Sequence, residues 1–376
     1  MPDLTVYRLT FPGGLHIGAR GVNLEESSVS VPSDTLFAAL LDAHHRAGED
    51  VDAWFADDPG TDVPQATLTR DCPYRITSAF PFAGDVLFFP LPIPAQAFLS
   101  NKLLKERRKE VKRIRFISEG ILRKMLAGEP LDGWFFPEEN NKADSQKGVA
   151  LQGGALWLTV DEVAHLPRAY RLAAGKRHAL RRQKVYTDEA TPRVTVDRIN
   201  AASTIFHAGR VTFGTECGLW FGLTGKTPPE FERALRTLSE DGLGGERSAG
   251  YGAFRYATPQ ALLLPDPQPG GAALLLSRYH PHGEEISALQ HREAGYELVA
   301  VAGWLRSWDG AAQRRRRLWL VREGSIVYPP DKGRWGDVVD VRPDYENPAG
   351  DLPHPVWRCG LALAVGWPYQ TQPSGG

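Results

Sequence analysis

The stretch GLGGERSAGYGAFR, residues 242–255, combines glycines with side chains that bind anions and stack on rings. Glycine adopts positive φ without steric cost, and successive unobstructed amides can form a concave nest for a phosphate or another anion. Arg247 would clamp a phosphate or stack on a base, Ser248 would donate a hydrogen bond, and Tyr251 would offer a stacking face. The glycines predicted to line this surface are Gly242, Gly244, Gly245 and Gly250.

The order of elements around this stretch limits which anion-binding motifs it matches. A P-loop ends in a Lys-Ser/Thr pair, and a dinucleotide-binding glycine turn follows a strand and opens a helix. Here the helix-like segment EFERALRTLSE precedes the glycines and the strand-like GYGAFRYAT follows them. Dinucleotide binding is therefore disfavoured. Two interpretations stay open, an anion-binding loop and a helix stop followed by a tight turn.

Three segments concentrate positive charge although the formal net charge of the chain is only −1. Residues 101–115 hold eight Lys/Arg and two Glu, a local net charge of +6, residues 171–184 hold six Lys/Arg and no acid, and residues 314–317 read RRRR. Such clusters would attract a polyanion. The alternatives are a solvated amphipathic helix for the first cluster and a charged strand edge for the third. Acidic residues gather in 49–62, where no role is assigned.

The other residue types indicate neither metal nor cofactor chemistry. Three cysteines, Cys72, Cys217 and Cys359, stand far apart without CxxC or Cys/His spacing, so we expect small buried hydrophobes. The pair Asp57–Asp58 has no neighbouring cluster of ligands. A hydrophobic fraction of 42% and a charged fraction of 24% are typical of globular proteins. Without a secretory pattern or an apolar run of about eighteen residues, we expect a cytoplasmic protein with no membrane contact.

The elements that must position the glycine stretch follow from periodicity. Alternation of apolar and polar residues predicts strands, and apolar spacings of three and four predict helices. The predicted elements are a strand over 3–9, a helix over 33–48 capped by Ser33 or Asp34 and stopped by Gly48, a hairpin over 74–92, a hairpin-like arm over 193–213, a strand over 216–225, a helix over 230–240 stopped by Gly242, and a strand over 250–258. The predicted class is α+β.

The domain organisation is predicted from the same pattern. With insertions at about 97–210 set aside, the order β-α-β-β-α-β corresponds to a ferredoxin-like (RRM-like) unit, an antiparallel sheet with helices on one face. Residues 262–271, LLLPDPQPGG, read as a connector. We therefore predict an N-terminal ferredoxin-like domain over 1–260, carrying the arm-like insertion and the glycine-rich loop. A smaller second ferredoxin-like domain is predicted over 261–376.

Several of these stretches resemble one known family. GLGGERSAGYGAF, after the second predicted helix, is similar to the C-terminal glycine-rich signature of the RAMP superfamily of CRISPR-associated RNA-binding proteins. Residues 11–40, with LHIG and SDTLF, resemble the amino-terminal segment of the Csm-type subunits that cap type III-A interference complexes. Residues 193–213 resemble the arm of those subunits, and residues 354–363 resemble their closing strand. The resemblance spans nearly the whole chain in the right order.

The resemblance implies a non-catalytic subunit that grips the 5′ repeat-derived tag of the CRISPR RNA (crRNA) and caps one end of the complex. Its implied protein partners are the large signature subunit with palm domains and an adjacent backbone RAMP subunit. No cofactor or metal is implied. Single-stranded RNA is held by cationic side chains and by stacking, which the basic segments and the arm offer. Besides the glycine stretch, the predicted RNA-binding residues are His16, Ser33, Lys102, Lys105, Arg108, Lys112, Arg193, Arg198, Phe206, His207 and Arg210.

Two other functions stay open. The first is a metal-free CRISPR RNA-processing endoribonuclease, which needs a base near the 2′-hydroxyl and an acid near the leaving oxygen. His16, after a Gly-Gly turn, and His207, on the arm, are its candidates. In the non-catalytic alternative, His16 packs or hydrogen-bonds at the start of the loop and His207 positions the tag. The second function is an interaction scaffold with no RNA role.

Overall fold

The fold was obtained as a computed structural model. It describes residues 3–18, 27–55, 69–70, 72–95, 98–136, 147–172, 177–196, 203–305, 313–329, 335–343, 352 and 354–368. The architecture is α+β, with one large mixed sheet and several small antiparallel sheets. This agrees with the predicted fold class.

Strands and short helices follow one another along the whole described chain. The strands are β1 (Asp3–Thr10), β2 (Thr69–Arg70), β3 (Tyr74–Ile76), β4 (Phe80–Ala83), β5 (Val86–Pro90), β6 (Phe116–Ser118), β7 (Gly148–Leu151), β8 (Leu156–Thr159), β9 (Tyr186–Val196), β10 (Ser203–Phe213), β11 (Cys217–Gly225), β12 (Arg255–Tyr256), β13 (Gln260–Leu263), β14 (Ala273–Leu275), β15 (Leu298–Val301), β16 (Trp304–Leu305), β17 (Gln313–Arg314), β18 (Leu318–Val321), β19 (Ile326–Val327), β20 (Val338–Asp340), β21 (Trp357–Cys359) and β22 (Ala364–Gly366). The helices are α1 (Ser33–Arg46), α2 (Asn101–Glu106), α3 (Arg108–Val111), α4 (Glu119–Leu126), α5 (Arg168–Arg171), α6 (Arg177–Arg182), α7 (Phe231–Asp241) and α8 (Ser287–Gln290).

The large sheet has the strand order β12-β1-β11-β4-β5-β6-β8-β7, and β13 and β3 pair with β1 and β11. β1 runs antiparallel to β11, with Tyr7 opposite Phe221. β11 in turn runs antiparallel to β4 of the β4–β5 hairpin. The predicted strand over 216–225 therefore lies in the middle of the sheet, between the first strand and the predicted hairpin.

Opposite faces of this sheet build two cores. Successive side chains of a strand point to opposite faces. On β1, Tyr7 and Leu9 enter a cluster with α1 and α7, where the rings of Tyr7 and Phe221 stack with centroids 5.0 Å apart. Leu4 and Val6 belong to a second cluster with the strands β5 to β8. The two helices thus cover one face, and the chain between β5 and β11 covers the other.

Helix α7 places the glycine stretch. Phe231, Ala234, Leu235 and Leu238 are buried at helical spacings, and Gly242 follows the last turn with a φ of +88°. Glycine reaches this φ without the steric cost that other residues incur there. The predicted helix and its stop are confirmed. The quoted stretch begins at the end of α7 and leads into β12, at the edge of the large sheet.

Helix α1 is also confirmed, but its predicted cap was wrong. Pro32 occupies the N-cap position and makes no side-chain cap hydrogen bond. Ser33 and Asp34 are both buried. The Ser33 hydroxyl accepts a hydrogen bond from the Arg278 amide at 2.9 Å. The Asp34 carboxylate lies 3.3 Å and 3.6 Å from the guanidinium groups of Arg278 and Arg358. Tertiary contacts have taken both side chains away from the helix end.

The predicted insertion at about 97–210 contributes to the large sheet. β6, β8 and β7 extend it beyond β5, and the pair β6–β8 is parallel. The arm is a two-stranded antiparallel hairpin of β9 and β10, whose register runs from Tyr186 opposite Phe213 to Val196 opposite Ser203. The arm was predicted from Arg193 onward, and its first strand begins earlier, at Tyr186.

The C-terminal part is strand-rich, as predicted. β14 pairs with β19 and β22, β15 pairs with β18, and β20 pairs with β2 and β21. β13 pairs with β1, so the large sheet continues to Leu263. A second ferredoxin-like domain and a boundary after residue 260 stay predictions.

All three cysteines are free and buried, as expected. Burial raises the pKa of the Cys217 thiol to about 11 and that of the Cys359 thiol to about 12. In the described part of the chain, no helix is long and apolar enough to cross a membrane.

Candidate nucleic-acid interface

Three chain segments meet at one place, which we call the junction: residues 13–17, residues 208–211 at the base of the arm, and residues 242–252. Backbone hydrogen bonds hold them together. The Gly245 amide donates to the His16 carbonyl at 2.9 Å, and the Gly252 amide donates to the Gly14 carbonyl at 2.9 Å. Leu15 and Val211 exchange two hydrogen bonds of 2.8 Å each. Segments that are far apart in sequence therefore form one rigid surface.

The absence of side chains at two glycines is explained by the protein's own chain. Gly244 has a φ of +91°, and a Cβ atom there would lie 2.3 Å from the His16 carbonyl oxygen. A Cβ at Gly252 would lie 2.2 Å from the Leu243 carbonyl oxygen. A Cβ at Gly250, in contrast, would meet no atom within 4 Å. The glycines were predicted to lack side chains so that an external ligand could come close. At Gly244 the close neighbour is the protein's own backbone instead, whereas an added Cβ at Gly250 would point into open space.

Tyr251 was predicted to offer a stacking face to a base, and the structure gives the ring another neighbour. The side chain is 5% exposed. The guanidinium carbons of Arg193 and Arg210 each lie 5.1 Å from the ring centroid. Burial on its own raises the pKa of Tyr251, but hydrogen bonds to Arg193 and Thr191 and the charges of both arginines outweigh it and lower that pKa. The ring serves as a platform that holds two arginines at the junction.

Both arginines come from the arm. Arg193 lies on β9 opposite Phe206, and Arg210 lies on β10. The Nε of Arg210 also donates to the Gly13 carbonyl at 3.2 Å, and both side chains remain half-exposed. Because they are held in place by the ring and the backbone, less side-chain entropy is lost when they bind an anion.

Polar groups of the quoted stretch continue this cationic surface. A short 3-10 helix, Arg247–Ala249, follows Glu246, which has a left-handed φ of 55°. Arg247 and Ser248 are exposed, and so are Gly244, Gly245 and Gly250. The buried members, Gly242 and Tyr251, anchor the stretch to the protein. The predicted anion-binding side chains at 247 and 248 therefore lie at the surface beside the arm.

His16 is a buried part of the junction. Its ring is 4% exposed, and Nδ1 lies 2.7 Å from the Gly209 carbonyl oxygen. Since a carbonyl only accepts hydrogen bonds, Nδ1 carries the proton. His16 thus joins the arm to residues 13–17. His207, two residues before Gly209 on β10, is exposed.

Other predicted residues lie apart from the junction or outside the described residues. Ser33 is buried at the start of α1 and hydrogen-bonded to Arg278 and Ser78, so its prediction as an RNA contact was wrong. Arg198 lies outside the described residues. For Phe206 only the backbone, in β10, is described.

The basic segment forms a second cationic surface. It folds as the short helices α2 and α3, and its exposed side chains include Lys102, Lys105, Arg108 and Lys112. Lys112 also lines a groove of about 1140 Å³ that is bounded by residues 27–30, by Tyr186 and Val211 of the arm, and by Arg322. Both Val211 and Tyr186 belong to the arm that carries the junction. The groove thus connects the basic segment with the base of the arm.

Comparison with known proteins places this geometry in a family. Residues 268–367 match the CRISPR Csm4 C-terminal domain. A curated Mycobacterium tuberculosis protein named CRISPR system Cms protein Csm4 is 24% identical over 349 residues, which is 91% of this chain and 93% of that protein. A Thermococcus onnurineus protein of the same name is 23% identical, with 78% of this chain and 79% of that protein covered. The chain is thus similar to Csm4 proteins over most of its length, and it carries the Csm4 C-terminal domain at residues 268–367. The predicted resemblance is confirmed.

Solved Csm4 structures share the fold. A chain of a Csm3–Csm4 subcomplex from a type III-A CRISPR-Cas interference complex matches with a TM-score of 0.53 and 15% identity, and the match covers 96% of this chain and 98% of that chain. A chain of a Csm1–Csm4 cassette in complex with pppApA matches with a TM-score of 0.52 and 17% identity. The match covers 100% of this chain and 100% of that chain. The likeness therefore extends over the N-terminal part as well as the Csm4 C-terminal domain.

The sequence did not reveal the packing of Tyr251 between Arg193 and Arg210. The two arginines lie on different strands of the arm, so their proximity depends on a strand register that spacing alone does not give. One signal was present in the sequence. Gly13 and Gly14 face the glycine stretch, and a Cβ at Gly13 would lie 2.1 Å from the Gly250 carbonyl oxygen. Paired glycines in both segments are typical of a close approach of two backbones.

Proposed function

We propose that this chain is a non-catalytic, RNA-binding subunit of a type III-A CRISPR interference complex that grips the 5′ repeat-derived tag of the crRNA. The observation that carries the proposal is the junction, where half-exposed Arg193 and Arg210 are held against Tyr251 beside exposed Arg247 and Ser248. Fixed guanidinium groups are well suited to phosphates and to base faces.

The groove joins the basic segment to the base of the arm, and its lining is mixed in charge, with Lys112, Arg115 and Arg322 balanced by Asp188, Glu297 and Glu323. A single strand that leaves the junction along the arm would meet the exposed cations of the basic segment next. Single-stranded RNA is commonly held by such a combination of a cationic track and a few stacking groups.

The proposed protein partners are the large signature subunit and an adjacent backbone RAMP subunit. Relatives of the same fold were solved as a Csm1–Csm4 cassette and as a Csm3–Csm4 subcomplex. We extend both associations to this chain because its fold matches those relatives over nearly the whole length.

The burial of His16 disfavours the ribonuclease alternative. A general acid or base must come within about 3 Å of the proton it transfers. The His16 ring is nearly buried, and its Nδ1 proton is donated to the Gly209 carbonyl. His207 alone does not supply an acid and a base together. We therefore assign His16 a structural role at the junction and His207 a role in positioning RNA.

The proposal is tested by removing the two arm arginines. The variant Arg193→Ala/Arg210→Ala should bind a labelled repeat-derived tag RNA at least about tenfold more weakly. Each lost arginine removes a phosphate contact and the favourable release of counterions that accompanies it. The slope of log affinity against log salt should become less steep by about 1.4, because each phosphate contact on a single strand contributes about 0.7 and two contacts are lost. Arg236→Ala, at an exposed position of α7, is the matched control and should bind like the wild type.

The same titration separates the three functions. Retention of intact RNA by the wild type supports the proposal, whereas cutting of the RNA supports the ribonuclease and no binding supports a scaffold. Thermal melting of each variant shows whether it is folded. A folded double variant that binds as tightly as the Arg236→Ala control would refute the assignment to the junction.

A further inference from the structure

A further surface, on residues 298–305 and 313–321, carries exposed aromatic and cationic side chains of the kind that bind nucleic acids. We call these two segments the tryptophan hairpin. β15 pairs with β18, with Ala300 opposite Trp319, and β16 pairs with β17, with Trp304 opposite Arg314. Between the two pairs of strands, residues 302–303 on one side face residues 315–317 on the other. Because two residues oppose three, the hairpin contains a bulge. Neither segment contains an acidic residue.

The bulge divides the RRRR run into two pairs with different roles. The side chain of Arg315 donates to the Ala302 carbonyl, and that of Arg316 donates to the Asp340 carbonyl. Arg314 and Arg317 are exposed. Arg314 is the one residue of the run that belongs to a strand. The alternative of a charged strand edge therefore holds for Arg314 and not for residues 315–317. Two arginines fix the hairpin, and the other two bring positive charge to its surface.

The outward face carries two indole rings above small neighbours. Trp304 is 54% exposed and Trp319 is 52% exposed. Ala300 is directly opposite Trp319, and Ala302 precedes Trp304 by two residues on the same face; both alanines are exposed. The guanidinium carbon of Arg314 lies 4.8 Å from the centroid of the Trp304 ring. The rings therefore stand above a low surface, and a cation–π contact holds one of them in place.

We propose that the outward face of the tryptophan hairpin binds single-stranded RNA, with bases stacking on Trp304 and Trp319 and phosphates contacting Arg314 and Arg317. Exposed aromatic rings with adjacent cations are the recurring means of holding single strands without sequence preference. This inference goes beyond the proposed function, because the hairpin is a surface separate from the junction and its RNA contact does not depend on the tag.

The shape of the face favours RNA over a docked protein. A protein interface surrounds its aromatic anchors with a rim of packed contacts that excludes water. Ala300 and Ala302 next to the indoles are small enough to leave room for a planar base, and the exposed Leu298 is a further apolar neighbour. The described residues of segments 298–305 and 313–321 carry only positive charge, which suits a phosphate backbone.

The test uses the full-length chain and a labelled oligouridine of about 12 nucleotides, within the range of sites on single-strand binders. Substitutions at the hairpin and at the junction are made separately and together. Trp304→Ala/Trp319→Ala should weaken binding at least about tenfold, in the wild type and in the Arg193→Ala/Arg210→Ala background. Trp304→Phe/Trp319→Phe should stay within about threefold of the parent because it keeps aromatic faces. Leu263→Ala, which truncates an exposed apolar side chain on β13, is the control and should have no effect.

Arg314→Ala/Arg317→Ala should weaken binding and lower the salt slope by about 1.4. The hairpin proposal is overturned if folded tryptophan variants bind oligouridine within about twofold of their parents. It is equally overturned if they retain RNA but lose capture of the large subunit, which would make the face a protein-docking site. A junction variant with unchanged tag binding refutes only the proposed function, so the two failures are distinguishable.

Discussion

Gly244 and Gly250 show how one residue type serves two purposes within the same short stretch. Both have positive φ, +91° and +83°, but only at Gly244 would an added Cβ meet another backbone, the His16 carbonyl. A glycine-rich segment is thus not by itself an indication of ligand binding, because tight packing against the protein's own chain has the same requirement. At the junction the proposed contact with RNA rests on the cationic side chains of Arg193, Arg210 and Arg247 rather than on the glycines.

The two glycines offer a matched pair of substitutions. Gly244→Ala should lower the free energy of unfolding by about 3 kcal/mol or more, because positive φ costs about 1–2 kcal/mol and the new Cβ also collides with backbone. Gly250→Ala should lower the free energy of unfolding by only about 1–2 kcal/mol, the contribution of positive φ, since no atom lies within 4 Å of the added Cβ. Urea titrations of the two variants measure the difference. Equal losses would mean that the contact with His16 does not constrain the loop.

At the scale of elements, periodicity predicted the pieces of the first sheet. β1, α1, the β4–β5 hairpin, β11 and α7 follow from alternation and from apolar spacing, which are local properties of the chain. The joining of β6, β8 and β7 to the same sheet was not predictable, because strand neighbours are set by long-range packing. The cap of α1 was missed for a related reason. Ser33 and Asp34 match a local capping preference, but tertiary contacts with Arg278 outweighed it.

Of the candidate site, the sequence predicted the participating segments but not their contacts. The arm was predicted from alternation, the glycine stretch from composition, and the segment that contains Gly13 through the resemblance to the family. The position of Tyr251 between two arginines and the burial of His16 depend on how these segments cross. Such crossings are set by register and packing, which a single sequence does not encode locally.

The contact between α1 and the C-terminal part yields an element-scale prediction. Asp34→Asn should reduce the free energy of unfolding by about 3 kcal/mol, because it removes a fully buried carboxylate that faces two half-buried guanidinium groups and leaves Arg358 without this charged partner, while Arg278 keeps Glu323. Asp42→Asn, on the same helix, removes an exposed i,i+4 pair with Arg46 and should change stability by about 0.5 kcal/mol or less. Denaturant titration followed by circular dichroism measures both. A loss at Asp34 no larger than at Asp42 would show that the buried carboxylate does not hold α1 to these arginines.

At the scale of the whole molecule, charge is balanced overall and separated locally. The net charge of −1 excludes a general attraction of RNA to the entire surface. The proposed RNA binding therefore rests on local clusters, which are the junction, the basic segment and the tryptophan hairpin. A subunit that assembles with other proteins benefits from this arrangement, because the remaining surface stays free of non-specific attraction to nucleic acid.

The most direct test of the central claim is photocrosslinking of the full-length chain to a repeat-derived tag RNA, with the crosslinked peptides identified by mass spectrometry. The account predicts crosslinks between the tag and the arm, at residues 186–196 or 203–213, or between the tag and residues 244–251 of the glycine stretch. Crosslinks that avoid both segments, obtained with RNA bound at full occupancy, would contradict it.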